Sequence, residues 1–222
     1  MVERAQRVRN NPPAASRPPR WQAARPVLGV LWVALVGLGF WWLVRYEIEP
    51  GAGSSLARWP AGTELALDGA RPTLLVFVHP RCPCSRATIA ELDRLVTGVR
   101  ERARVEVLVY DDPALGPDWA ESDLTRSARH IVGASVARDP HGALARRFDA
   151  LTSGQALLFA PDGRLLFRGG ITDARGHEGD NPGSQAVLAL LDDPSRAPLE
   201  TPVFGCSLVD PTPPVARAES LP

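Results

Sequence analysis

The first pattern along the chain is an unbroken apolar run. Residues 26–44, PVLGVLWVALVGLGFWWLV, carry no charge. As a helix rising 1.5 Å per residue they span about 28 Å, close to the hydrocarbon thickness of a bilayer. Arg25 and Arg45 bracket the run, and Trp41, Trp42 and Tyr46 gather at its far end, as an interfacial aromatic belt does. A cleaved signal peptide has a shorter apolar stretch with small residues directly behind it; here RYEIEPG follows. The pattern predicts one transmembrane helix.

Beyond it the periodicity alternates between that of strands and that of helices. TLLVFVH (73–79) is a continuous β-branched run, as a strand buried on both faces requires, and RVEVLVY (104–110) alternates. Between them, 85–101 sets Ile89, Leu92, Leu95 and Val96 on one helical stripe. Helix is predicted again over 119–130, 142–150 and 184–192, and strand over 134–139, 155–160 and 164–170, the last two joined by the turn PDG. Strands alternating with helices and ending in a hairpin and a helix predict an α/β sandwich, a mixed sheet with helices on both faces. This domain is placed at 63–193. Composition marks the rest: a basic, Pro-rich segment at 1–25 expected to be disordered, a linker at 45–62, and a Pro-rich tail at 194–222 expected to lack regular structure.

Charge adds direction. The chain of 222 residues has no formal net charge, which argues against nucleic acid as a partner. The first 25 residues nonetheless hold six arginines against Glu3 alone, whereas residues 45–222 hold 19 arginines against 24 acids. Basic flanks stay cytoplasmic. The expectation is a single-pass membrane protein with a cytoplasmic N-terminus and an exported domain.

The candidate chemistry lies in three cysteines, Cys82, Cys84 and Cys206. Cys82 and Cys84 flank Pro83, just after a strand and at a helix start. A bridge there closes a tiny loop and is a poor structural staple, but the positive end of a helix lowers a thiol pKa. A redox pair, a metal-binding pair and two inert buried cysteines all remain open. Cys206 lies in an apolar island, TPVFGCSLVD, inside the Pro-rich tail. The island is expected to dock through 202–208, since the roughly fourteen residues after the last helix span about 45 Å when extended. In that position Cys206 would resolve a disulfide with Cys82 or Cys84.

HPRCPCS between a buried strand and a helix resembles the active-site corner of the thioredoxin fold. DPHGALARRFDALTSGQALLFAPDGRLLFRGG is similar to the second half of exported thioredoxin-like proteins of the TlpA and peroxiredoxin-related branch. HPRCPCSRA, GGITDARGHEGDN and PVFGC resemble a narrower bacterial group labelled RedB. The resemblance covers about residues 63–193 and implies a thiol–disulfide oxidoreductase acting on protein thiols and disulfides or on a small thiol, with no cofactor. It also implies companions beside the cysteines: Ser85 in place of the usual resolving thiol, Ser153 and Gly154 at the cis-proline corner, and the loop 171–183. Three departures stand out. One residue separates the cysteines instead of two, Gly154 replaces the proline, and His79 occupies the position of a peroxidase's Thr or Ser. In that loop His177 is a candidate proton donor or soft-metal partner. The alternatives to an oxidoreductase are a copper-binding module using Cys82, Cys84 and His177 or Cys206, resembling thioredoxin-fold copper chaperones, and a non-catalytic adaptor on the same edge.

Overall fold

A computed structural model describes residues 20–99 and 101–209. The disorder expected for residues 1–19, and the tail beyond 209, lie outside the described residues. The chain divides into two compact units, one ending at Arg45 and one beginning at Tyr46.

The first unit holds helix α1, Arg20–Ile48, up to Arg45. The helix starts six residues before the predicted span and runs four past it, its last turn from Tyr46 belonging to the second unit. Its stretch Ala24–Ile48 has a mean hydropathy of 2.3 and none of it is buried. Among the described residues it is the one helix long and apolar enough to cross a membrane.

The second unit is a six-stranded mixed sheet. In chain order its elements are β1 (Thr73–Val78), α2 (Ser85–Val99), β2 (Arg104–Asp111), α3 (Asp123–His130), β3 (Ala134–Pro140), α4 (Ala143–Arg147), β4 (Gln155–Phe159), β5 (Leu165–Gly170), α5 (Pro182–Asp192) and β6 (Leu199–Glu200). The strand order is β3-β2-β1-β4-β5-β6. β1 runs parallel to β2, and β2 to β3, while β4 lies antiparallel to both β1 and β5. β6 adds a short parallel edge to β5, pairing Phe167 with Leu199. The tail expected to lack regular structure thus contributes a two-residue strand, too short to carry any periodicity.

Every residue of β1 is buried, which explains its unbroken apolar sequence: its two faces feed two cores. On one face Leu74, Val76, Val78, Val105, Val107 and Leu158 meet Ile89, Leu92 and Val96 of α2 and Val187 and Leu190 of α5. On the other, Leu75, Phe77, Leu157 and Phe159 meet Phe148 and Ala145. The short helix α4 covers this second face only in part. Leu56, Trp59, Leu65 and Leu67 complete it from the N-terminal side, and Leu208 and Val209 from the tail. Trp59 packs edge-on to Phe148 and Phe159, at 4.9 and 5.1 Å between ring centres. The segment expected to be a linker therefore belongs to the domain from Gly51 onward. Ser54 is buried and its hydroxyl donates to the Phe148 carbonyl at 3.0 Å. Gly, Ser and Pro reported irregular backbone correctly; they did not report that the backbone is packed.

The half-buried Trp59 gives this cover a test. Trp59→Ala should destabilise the domain by about 2–3 kcal/mol, lowering the thermal midpoint by roughly 5–10 °C. A free linker would give no measurable change in thermal or urea unfolding.

Candidate thiol site

Strand directions assemble one edge. β1 ends where antiparallel β4 begins, Phe77 opposite Gln155, and β5 ends beside it, Gln155 opposite Gly170. The loop 79–84 leaving β1, the corner 151–154 before β4 and the loop after Gly170 must therefore share this edge. The cysteine loop is held by backbone hydrogen bonds from Cys82 N–H to the His79 carbonyl at 3.1 Å and from Ser85 N–H to the Cys82 carbonyl at 3.2 Å. Pro83 is exposed between the cysteines and its carbonyl accepts from Arg86 N–H at 3.2 Å. His79 stacks on Tyr110 and meets Trp119 edge-on, and its Nδ1 accepts from Arg81 N–H at 3.2 Å. Burial and then the Arg81 charge hold its imidazole below the ordinary pKa, so His79 is a neutral, packed support for the loop.

Ser85 and Ser153 are both fully buried, with their hydroxyls 2.6 Å apart, and Ser153 Oγ also accepts from His79 N–H at 2.7 Å. These two side chains tie the start of α2 to the corner before β4. Gly154 donates its N–H to the Phe77 carbonyl at 2.7 Å and has φ +97°. A proline lacks that N–H and fixes φ near −65°, so the backbone here excludes the proline of the thioredoxin pattern.

The tail lies along the same edge as a strap. Gly170 N–H donates to the Pro202 carbonyl at 3.1 Å, Gly51 N–H to Val203 at 2.8 Å and Ser153 N–H to Cys206 at 2.9 Å, while Leu208 N–H donates to Leu151 at 2.8 Å. Thr152 and Ser207 pair antiparallel. Val203, Phe204, Leu208 and Val209 are buried. Gly205 sits so close that an added Cβ would stand 1.8 Å from the Ser153 carbonyl oxygen.

The strap sets the Cys206 Sγ 2.9 Å from the Cys82 Sγ. With Cys84, all three sulfurs lie within 4.8 Å of one another. Cys82 is only 3% exposed, whereas Cys84 and Cys206 are half-buried. Burial pushes the Cys82 thiol up, but hydrogen bonds from Cys206 and Ser85 outweigh it and leave the pKa lowered. Cys206 is pushed up to about 12 by burial, by its hydrogen bond to Cys82 and by the charges of Cys82 and Cys84. Cys84 is raised by burial and by Cys82, with Arg175 acting in the opposite sense. Of this close pair, Cys82 is therefore the sulfur that gives up its proton more readily and Cys206 the one that keeps it. When the Cys82 sulfur becomes bonded and neutral, two of the influences that keep Cys206 protonated disappear.

The loop 171–183 delivers Arg175 to this edge. Its guanidinium donates to the Gly205 carbonyl on the strap and to the carbonyls of Tyr46 and Glu49, at 3.0 and 3.2 Å for the last two, and lies 4.8 Å from the centre of the Tyr46 ring. His177 is exposed, its Nε2 3.7 Å from Asp173, and it is not among the clustered groups. The place expected for His177 is taken by Cys206. The rest of that loop is structural: Gly179 N–H and Asn181 Nδ2 donate to the buried Glu91, and Asn181 caps α5.

The sheet order and the position of the cysteine loop make the fold thioredoxin-like. No protein-family model matches the chain, and no curated protein matches it. Among solved structures it is similar to an uncharacterised conserved protein from Geobacillus kaustophilus, with 19% identity, a TM-score of 0.54 and coverage of 75% of this chain and 94% of the other. A hypothetical protein from Sinorhizobium meliloti 1021 is similar at 19% identity and a TM-score of 0.54, covering 73% and 93%. A secreted Mycobacterium tuberculosis disulfide oxidoreductase matches at 13% identity and a TM-score of 0.40, covering 57% and 83%. These likenesses are ones of fold.

In the reduced protein, alkylation followed residue by residue against pH should give Cys82 a midpoint below the ordinary 9.0 and Cys206 one near 12. Cys206→Ala removes the hydrogen bond that favours the Cys82 thiolate, so the Cys82 midpoint should move upward. An unchanged midpoint would show that the strap does not act on that sulfur.

Proposed function

We propose that the chain is a membrane-anchored thiol–disulfide oxidoreductase of the bacterial periplasm, with Cys82 as nucleophile and Cys206 as its resolving partner. The observation that carries this reading is the 2.9 Å approach of those two sulfurs, held by backbone pairing between segments 124 residues apart. Cys82 and Cys84 are one residue apart, a spacing that strains a disulfide between them; the strap offers Cys82 a partner without that constraint. The thioredoxin-like fold, with paired sulfurs at the start of the helix after β1, supports protein thiols and disulfides as the substrate class.

The exchange follows from the site. The Cys82 thiolate attacks one sulfur of a substrate disulfide, forming a mixed disulfide and expelling the other substrate sulfur as a thiolate, which takes up a proton. Cys206, no longer facing a negative Cys82, loses its proton and attacks the Cys82 sulfur. The second substrate thiolate leaves and takes that proton. The substrate has gained two electrons, and the protein holds a Cys82–Cys206 disulfide. Run backwards, the same steps oxidise a dithiol, and attack on this disulfide is favoured by the low pKa of the departing Cys82. Ser85 and the helix start stabilise the thiolate, Ser153 presents the corner, and Arg175 holds the strap.

Disulfide mapping of the oxidised full chain should find Cys82 linked to Cys206 and Cys84 free. Cys206→Ala should trap Cys82 in stable mixed disulfides and lower turnover of a model disulfide by at least about tenfold, while Cys84→Ser retains most of it. A predominant Cys82–Cys84 bridge, or full turnover by Cys206→Ala, overturns the assignment of the pair. A periplasm-dependent reporter fused after Pro222 should be active; activity of cytoplasmic reporters alone would reverse the topology.

A further inference from the structure

The edge holds three thiols, and a disulfide uses only two. We infer that the fully reduced cluster Cys82, Cys84 and Cys206 is a binding site for a single Cu(I) ion, held by three sulfurs.

The geometry is near that of a trigonal site. Three sulfurs each about 2.3 Å from one ion stand about 4.0 Å apart. Here all separations lie within 4.8 Å, and Cys82 and Cys206 stand 2.9 Å apart. A central ion therefore requires the Cys82–Cys206 pair to open by about 1 Å, within reach of a side-chain torsion at Cys206 with the strap backbone left in place. The donor set selects the ion. Among the described residues no histidine or carboxylate belongs to the cluster, and all-thiolate sets favour soft ions such as Cu(I) over Mg(II) or Ca(II). Structural zinc takes four protein ligands in a tetrahedron, and the cluster supplies three. The surroundings suit added negative charge, since the guanidinium of Arg175 binds the Gly205 carbonyl next to Cys206 and the cysteines 82 and 84 sit at the start of α2. Burial of Cys82 keeps water from the innermost ligand.

The site exists only while the strap is docked and all three thiols are reduced. Each ligating thiol gives up its proton to solvent as the ion enters, and no electron is transferred. A Cys82–Cys206 disulfide removes two ligands, so metal loading and disulfide exchange exclude each other.

The test uses the reduced full chain in detergent, titrated anaerobically with Cu(I) against a chromogenic chelator, with X-ray absorption at the copper edge. One Cu(I) per chain in a shell of three sulfurs is expected, and none in the oxidised chain. Cys206→Ser should weaken binding by more than about 100-fold, beyond what loss of a supporting group costs. Gly205→Val, which keeps all three cysteines but forces the strap away from Ser153, should weaken binding too. A two-sulfur shell indifferent to Cys206→Ser, no retention against the chelator, or tighter retention of Zn(II) than of Cu(I) overturns the inference. Disulfide turnover of the metal-free chain is read separately, so failure here leaves the oxidoreductase assignment standing, and the reverse.

Discussion

The arrangement of the thiol edge depends on the backbone pairing of the strap, above all the hydrogen bond from Ser153 N–H to the Cys206 carbonyl. Cys82 and Cys84 owe their place to the loop between β1 and α2, but a third sulfur reaches them only because nine residues of tail add themselves to a corner of the sheet. That corner was available because Thr152 and Ser153, just before β4, offer their backbone to Ser207 and Cys206. The ordering of a tail is opposed by chain entropy. Val203, Phe204, Leu208 and Val209 offset it by leaving water, and Gly205 permits the close approach that any side chain would block. Arg175 then ties the strap to residues 46–49 through three carbonyls.

Much of this fold was legible because its central strands, β1 and β4, are buried on both faces. A run such as TLLVFV has no polar alternation to confuse, and α2 carries its stripe openly, with Ile89, Leu92, Leu95 and Val96 all buried. Short elements escaped. α3 begins at Asp123, not at 119, because the Ser122 hydroxyl caps it through Thr125 N–H; an apolar residue such as Trp119 signals burial without saying whether the backbone is helical. Residues 51–62 misled in the opposite way. Their composition describes a loop, and the clue to packing was the pair Leu56 and Trp59, whose large apolar side chains have little reason to stay in solvent.

The site divides along the same line. Cys82 and Cys84 announce themselves by motif, and Cys206 by an apolar island where a tail has no other cause for one. Ser85 was placed by its spacing from Cys82 and Ser153 by topology, yet their mutual hydrogen bond and fully buried state are tertiary facts. His177 stood out because imidazoles carry chemistry, whereas Arg175, two residues earlier, reaches the strap. A guanidinium that reads backbone carbonyls leaves no trace in the sequence of the segments it binds, since every residue supplies a carbonyl.

The strap also creates an opposition between reactivity and access. The contact with Cys206 lowers the Cys82 pKa, and in the same docked arrangement Cys82 is only 3% exposed. A protein disulfide cannot reach a sulfur so covered while the strap keeps its place. The proposed exchange therefore requires the strap to open locally for a first attack and close again for resolution. The hydrogen bonds at 202–203 lie away from the sulfurs, whereas those at Cys206 and Leu208 flank them. Partial opening from the Cys206 end would expose Cys82 while the strap stays anchored at Val203 and Gly170, which keeps the resolving thiol at a high effective concentration. In the proposed exchange the length of that tether sets the effective concentration at which Cys206 meets a mixed disulfide on Cys82.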